Sequence, residues 1–312
     1  MTVQVLAGLD AGLAWHHGNP VSEQRALEAG TGVVDWSPAP GVGRGVFTVT
    51  GPDRLTWLHS LTSQHLEHQP SGEPFTALLL SPTGHIEHVL HGVDDASTET
   101  VTAWTEPGRV TDLVTWLDRM RFMTRVEVTD RSDQMRVVQV GTSLGFAHRD
   151  EPLPEGVPAG VWAAEALRIA AGQPRVGLDT DHKTIPNEIG LLGTHLDKGC
   201  YRGQETVARV HTLGRPPRRL VQLLLDGSVD ALPELGSPVT LDGREVGFVG
   251  SSARHHELGP IALALVKRNL PLDATVVVRS AGTDDQPGTD ITASQEALVD
   301  PEVGLHVRPR LR

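Results

Sequence analysis

The sequence predicts an α+β body up to residue 215 followed by a small all-β domain. Three observations predict it: strand-period and helix-period apolar runs alternate through the first part, the pattern breaks at Pro216-Pro217, and only short β-type runs follow. At 312 residues the chain is too long for one compact core, so the expectation is two or three domains.

Taken in order, Val46-Phe-Thr-Val-Thr50 alternates as a strand, and Gly51-Pro52-Asp53 turns into a helix from Arg54 to Gln64 with Leu55, Leu58 and Leu61 on one face. Thr76–Leu80 and His85–Val93 form a hairpin about the turn Ser81-Pro-Thr-Gly84. Val101–Thr105 reads as a strand, and Arg109–Met120 as an amphipathic helix through Val110, Leu113, Val114 and Leu117. Strands follow at Arg125–Thr129 and Met135–Val140, then a loop over 141–160 rich in Gly, Pro and acid. Trp162–Ala171 is helical and stops at Gly172, with Pro174 beyond it. Gln204–Val210 is a second short helix. After the prolines, Leu220–Leu225, Pro238–Leu241, Glu245–Val249, Ile261–Val266 and Ala274–Val278 are strands of a barrel or sandwich.

Composition narrows the function classes. A net charge of −12 argues against direct nucleic-acid binding, and the densest basic stretch, Arg215-Pro-Pro-Arg218-Arg219, reads as an interdomain connector. No apolar run approaches the roughly 18 residues of a membrane span. His16, His17 and Asp10 stand where a signal peptide would be apolar, so a cytoplasmic setting without membrane contact is expected. The single cysteine, Cys200, excludes an intrachain disulfide and cannot alone hold zinc or an iron–sulfur cluster.

The segment Lys198-Gly-Cys-Tyr-Arg-Gly-Gln-Glu205 is the most unusual stretch of the chain. Gly199 and Gly203 permit a tight loop. Lys198 and a helix starting near Gln204 would both favour a thiolate at Cys200, and Glu205 and Arg209 stand at i and i+4, where they can pair. The other reading is a buried structural thiol beside a turn.

This segment, as Lys-Gly-Cys-Tyr-x-Gly-Gln-Glu, resembles the signature of the YgfZ family, which includes iron–sulfur assembly factors. Gly32-Val-Val-Asp-Trp-Ser37 and Val46-Phe-Thr-Val-Thr-Gly-Pro-Asp53 are similar to the opening of the glycine-cleavage T-protein, an aminomethyltransferase. Ala166-Leu-Arg-Ile-Ala-Ala-Gly172 and Thr184-Ile-Pro-Asn-Glu188 are similar to the middle of both families. The resemblance implies a three-domain cloverleaf around a central channel for tetrahydrofolate or a derivative. Its domains would be 1–45 with 121–215, then 46–120, then a β-barrel over 216–312. It also implies Cys200 as the functional thiol, with Lys198, Gly199, Tyr201, Gly203, Gln204, Glu205 and Arg209 shaping its loop, and candidate folate contacts at Trp36, Trp162, Arg168 and Glu188. For the two tryptophans, ordinary core packing is the alternative.

The sequence departs from the enzyme at positions that matter. The two adjacent acids of the T-protein hairpin fall on Glu87 and His88, leaving Glu87 as the one candidate acid or base. Ala170 replaces a glutamate that reads the pterin edge in the enzyme. The expected role is therefore a folate-binding accessory factor in iron–sulfur cluster assembly or repair, with client or assembly proteins as partners. The alternatives are a one-carbon transferase using Glu87, or a scaffold holding folate as a structural ligand. His85, Glu87, His88 and His91 do not suit a metal, because on a strand residues 85, 87 and 91 face one way and 88 the other.

Overall fold

The computed structural model describes residues 2–280 and 288–306. The chain divides into two compact units: Met1–Pro82, Ile86–Ala164 and Leu192–Gln204 form the first, and Thr83–His85, Glu165–Leu191 and Glu205–Arg312 the second.

In chain order the first unit contains β1 (Val3–Gln4), β2 (Ala14–His16), α1 (Pro20–Glu28), β3 (Gly32–Asp35), β4 (Gly45–Thr50), α2 (Arg54–Leu61), β5 (Pro74–Leu80), β6 (Ile86–Asp95), β7 (Thr100–Thr105), α3 (Val110–Met120), β8 (Glu127–Asp130), β9 (Met135–Val140), β10 (Ser143–His148) and β11 (Val157–Pro158). Strands β5-β6-β7-β4-β8 make an antiparallel sheet, and β10-β9-β3-β11 a smaller one. Because β4 lies inside its sheet, between β7 and β8, Val46, Phe47 and Val49 are all buried. Trp57 and Leu58 of α2 and Leu113 and Leu117 of α3 join Phe47, Val49, Leu79, Leu90 and Ala103 of the sheet in one core. Each fully buried Leu, Val or Phe side chain there stabilises by about 1.5–3 kcal/mol, and Leu117→Ala would cost roughly 2–5 kcal/mol.

The helix after Gly51-Pro52-Asp53 forms as read but ends at Leu61 rather than Gln64. Asp53 leaves its capping role to the backbone and instead accepts from the main chain and guanidinium of Arg125, at 2.6–3.1 Å. Those bonds hold its carboxyl at about 2. The stretch 141–160 is not all loop: β10 pairs with β9, and β11 runs parallel to β3.

The second unit includes most of α4 (Val161–Ala170), a 3-10 turn at Pro186–Ile189, and most of α5 (Gln204–Leu213). Its strands are β12 (Arg218–Leu225), β13 (Pro238–Leu241), β14 (Arg244–His255), β15 (Gly259–Lys267), β16 (Val276–Arg279) and β17 (Asp290–Ala297). The six strands close as a barrel in the order β12-β15-β14-β13-β16-β17, which leaves no open edge. Val221, Leu223, Val249, Ala264, Val278 and Ile291 fill it. The expected choice between barrel and sandwich resolves to a barrel. The basic stretch at its entrance is structural: fully buried Arg219 donates to the carbonyls of Arg268 and Leu270 and to Gln295 Oε1 at 2.6–3.0 Å.

Candidate functional site

The loop 198–204 is anchored at its ends and open at its centre. Lys198 is buried, and its Nζ donates to His59 O and, at 2.6 Å, to Thr62 O, so it caps the C-terminus of α2. Upstream, His195 N–H donates to Ser63 O at 2.9 Å, and Ser63 Oγ donates to Gly193 O at 2.6 Å, stitching 193–198 onto the end of α2. Downstream, Tyr201 is buried against the Lys198 ammonium, 4.9 Å from its ring centre, and Gly203 takes φ +80° before α5 begins. Burial lowers Lys198 to about 8 against the opposing charge of Glu67, and burial raises the Tyr201 hydroxyl to about 12.

Cys200 is exposed, which answers the alternative of a buried structural thiol. Lys198 is committed to α2 carbonyls rather than left as a free counter-charge for the thiol. Gly199 has no positive φ among the described glycines, so the tight geometry rests on Gly203 alone. Gln204 N–H closes onto Tyr201 O at 3.2 Å. Glu205 and Arg209 are both exposed, and no ion pair joins them among the described residues.

At the hairpin, Leu79 pairs with His88 and Leu80 with Ile86, so Glu87 is the extra residue of a bulge. Simple alternation over 85–91 therefore does not hold. Glu87 is extruded, and its carboxylate accepts from Arg202 Nη1 at 3.1 Å, bringing hairpin and loop together. The Arg202 guanidinium also lies 5.7 Å from the Trp116 ring centre. His88 turns inward; burial, then Arg109, lowers its pKa against Asp112, and its Nδ1 is buried with no hydrogen-bond partner. His91 Nδ1 lies 2.9 Å from Thr76 Oγ1, and its ring stacks on Trp104 at 4.0 Å.

The remaining candidate residues are spread apart in role. Trp36 is buried, donates to Gln139 Oε1 at 2.9 Å and carries the Arg44 guanidinium 3.8 Å from its ring centre, while Trp104 lies 4.1 Å from the same guanidinium. Its packing is structural. Trp162 stacks on Trp15 at 5.3 Å, and its Nε1 is buried and unpaired.

In the second unit, Arg168 donates to Glu165 Oε2 at 2.7 Å, Asp179 Oδ2 at 2.9 Å and Ser251 Oγ. Asp179 also accepts from Arg175 N–H and from Ser251 N–H, both at 2.8 Å. Gly250 admits this approach: a Cβ there would lie 2.3 Å from Asp179 Oδ1. Glu188 accepts two bonds of 2.8 Å from Arg218 and one from Ile185 N–H. Asp181 takes the other side of Arg218 at 2.8 and 3.0 Å. Burial opposes ionisation of Asp181, but hydrogen bonds from Arg218 and Thr184 prevail and hold its carboxyl well below the usual range. The sequence reading missed Arg218 as the partner of Glu188, because it assigned the basic stretch to a connector.

A cavity of about 300 Å³ in the first unit is lined by residues including His17, Val33, Asp35, Leu153 and Pro158, and contains none of the candidate residues. No helix among the described residues is long and apolar enough to cross a membrane.

Residues 218–294 match the family model of the Glycine cleavage T-protein C-terminal barrel domain. A chloroplastic protein of Arabidopsis thaliana, whose name places it among transferases, is 27% identical over 283 residues, covering 72% of this chain and 62% of that protein. An aminomethyltransferase of Streptomyces avermitilis is 32% identical over 143 residues, 44% of this chain and 36% of the relative. The tRNA-modifying protein YgfZ of Escherichia coli is 34% identical over 111 residues, 33% of each. The chain thus spans under two thirds of the length of each of these relatives. Among solved structures, the glycine cleavage system aminomethyltransferase T of Bartonella henselae aligns with a TM-score of 0.75 at 15% identity, covering 97% of this chain and 95% of that one. The chain is therefore a relative of the YgfZ and aminomethyltransferase proteins, with the aminomethyltransferase fold over nearly its whole length and a glycine-cleavage T-protein barrel within it.

Proposed function

We propose that this chain is a folate-binding factor that acts in iron–sulfur cluster assembly or repair through Cys200, in a reducing, cytoplasmic setting. The observation that carries the reading is an exposed thiol on a loop fixed from both sides, by Lys198 at the end of α2 and by buried Tyr201. A cysteine kept only for packing would be buried. The name of the Escherichia coli relative, a tRNA-modifying protein, supports a role that bears on tRNA modification.

Tetrahydrofolate or a derivative fits the donor set in part. Trp162 Nε1, His88 Nδ1 and Thr105 Oγ1 are buried in the first unit without partners, the kind of atoms that an amide-edged pterin can pair with. In this reading Trp162, with its unpaired Nε1, is the candidate cofactor contact, and folate would supply one-carbon carrying capacity or a structural wedge. Glu188, Arg168 and Trp36 already have partners within their own units, so in this reading they are not direct cofactor contacts. The transferase reading needs Glu87 as acid or base; its pairing with Arg202 counts against that role.

The test pairs anaerobic calorimetry of tetrahydrofolate on wild type and Cys200→Ser with rescue of tRNA methylthiolation in a strain lacking its YgfZ protein. The expected result is micromolar-range binding by both proteins and rescue by the wild type only. Full rescue by Cys200→Ser removes the thiol role. Absence of binding by either protein removes the cofactor.

A further inference from the structure

A cluster of histidines lies at the end of α2, on the surface to which the 193–198 segment is stitched. His59 lies in the last turn of the helix, His65, Glu67 and His68 follow in the next stretch of chain, and His195 arrives from the other segment. The His65 ring is the hub, with ring centres 4.8 Å from His59, 5.4 Å from His195 and 6.0 Å from His68. One donor atom from each of His59, His65 and Glu67 lies within 4.8 Å of the others. Ligand atoms around a tetrahedral zinc, with bonds of about 2.0–2.1 Å, stand about 3.3 Å apart. Metal binding would draw the donors together through side-chain rotation.

We propose that His59, His65 and Glu67, with His195 or His68 as a fourth ligand, form a binding site for a divalent transition-metal ion of the zinc class.

Three features favour this over a chance gathering of polar groups. The donor types, imidazoles with one carboxylate, match zinc and its neighbours rather than calcium or magnesium. The cluster has a closed floor and an open mouth, since His59 is buried, His65 half-buried, and Glu67 and His195 exposed. Its base is rigid: Ser63, between His59 and His65, bonds through main chain and side chain to Leu78, Gly193 and His195. By contrast, His91 of β6 is stacked on Trp104 and bonded to Thr76, and His88 faces inward.

Two features oppose metal entry. His59 Nδ1 accepts from Leu66 N–H at 3.2 Å, so ligation through Nε2 exchanges that contact for the metal bond. Lys198 brings a positive charge to the floor, which Glu67 opposes. The site stands apart from the folate reading and uses no sulfur ligand.

The test is a Co²⁺ titration of the chelator-stripped full-length chain, followed by displacement with Zn²⁺. The expected result is saturable one-to-one binding, visible bands of a nitrogen–oxygen ligand field, no thiolate charge-transfer band, and release of Co²⁺ by Zn²⁺. His65→Ala should weaken binding by about tenfold or more, Glu67→Gln should weaken it while preserving the thermal melt of the metal-free protein, and Cys200→Ser should leave it unchanged. Binding that is non-saturable, indifferent to both His65→Ala and Glu67→Gln, or lost in Cys200→Ser overturns the proposal.

Discussion

The Arg168 and Arg218 networks and the loop 198–204 are both built from charged residues, yet they use charge in opposite ways. In the networks every arm closes on another: Arg168 with Glu165, Asp179 and Ser251, and Arg218 with Glu188 and Asp181. In the loop, charge is spent only at the edges. Lys198 is tied to α2, Arg202 reaches Glu87, and between them Cys200 faces solvent. The difference separates residues that a fold retains for cohesion from residues held in place so that a neighbour stays available. A resemblance does not by itself place a residue in the second class: Glu188 and Arg168, expected as folate contacts on the resemblance alone, are engaged by their own neighbours.

The sharpest way to break this comparison is Asp179→Ala. It strips four hydrogen bonds from a fully buried carboxylate and leaves Arg168 short of a partner, at an expected cost of roughly 3–5 kcal/mol in urea denaturation. A cost below about 1 kcal/mol would mean that the network is not cohesive.

Lys198→Met comes next, at about 1–2 kcal/mol near neutral pH for two carbonyls left without their donor. Its pH dependence sharpens the point. The folded chain releases the Lys198 proton near 8, whereas the unfolded chain holds it to about 10.5. Between those values the unfolded state binds more protons, so stability rises with pH. The advantage of wild type over Lys198→Met should therefore widen from pH 8 to pH 10, by roughly 2 kcal/mol. A flat difference would show that the ammonium is not buried as described.

Arg202→Ala should cost under about 1 kcal/mol, because its pair with Glu87 is partly exposed. A thermal melt comparing Arg202→Ala, Glu87→Ala and the double variant measures the coupling directly. Cys200→Ser should change stability least, within about 0.5 kcal/mol, while removing rescue activity; a large loss of stability would return the thiol to the cohesive class.

Much of this was legible in the sequence. The amphipathic face of α3 survives because it buries Leu113 and Leu117 against a large core, whereas β4, buried on both faces, reads as a strand through its β-branched and aromatic run. The rest was hidden for physical reasons. β10 is an edge strand exposed along most of its length, and its brief Leu144 and Phe146 alternation is set in a stretch of Gly, Pro and acidic residues that reads as loop. β11 is two residues long and includes Pro158. β17 inserts Ile291 and Ala293 between Thr, Ser and Gln, too small an apolar signal to stand out. At the site, the cysteine loop was visible as a motif, but the role of Lys198 was not. Sequence proximity pointed it at the thiol, whereas its partners are carbonyls far away in the chain. The bulge at Glu87 was equally silent, since it depends on the register of a partner strand.

The partners of Lys198 lie 136 and 139 residues earlier in the chain. Closing so long a span costs chain entropy before the contact rewards it, so such contacts are slower to form than local ones. The shape that presents Cys200 thus cannot exist on a ribosome-bound fragment that stops short of residue 198, however well β4, α2 and β5–β7 have already folded. Until then the only thiol of the chain has no fixed surroundings, and its presentation reports that the two distant segments have met.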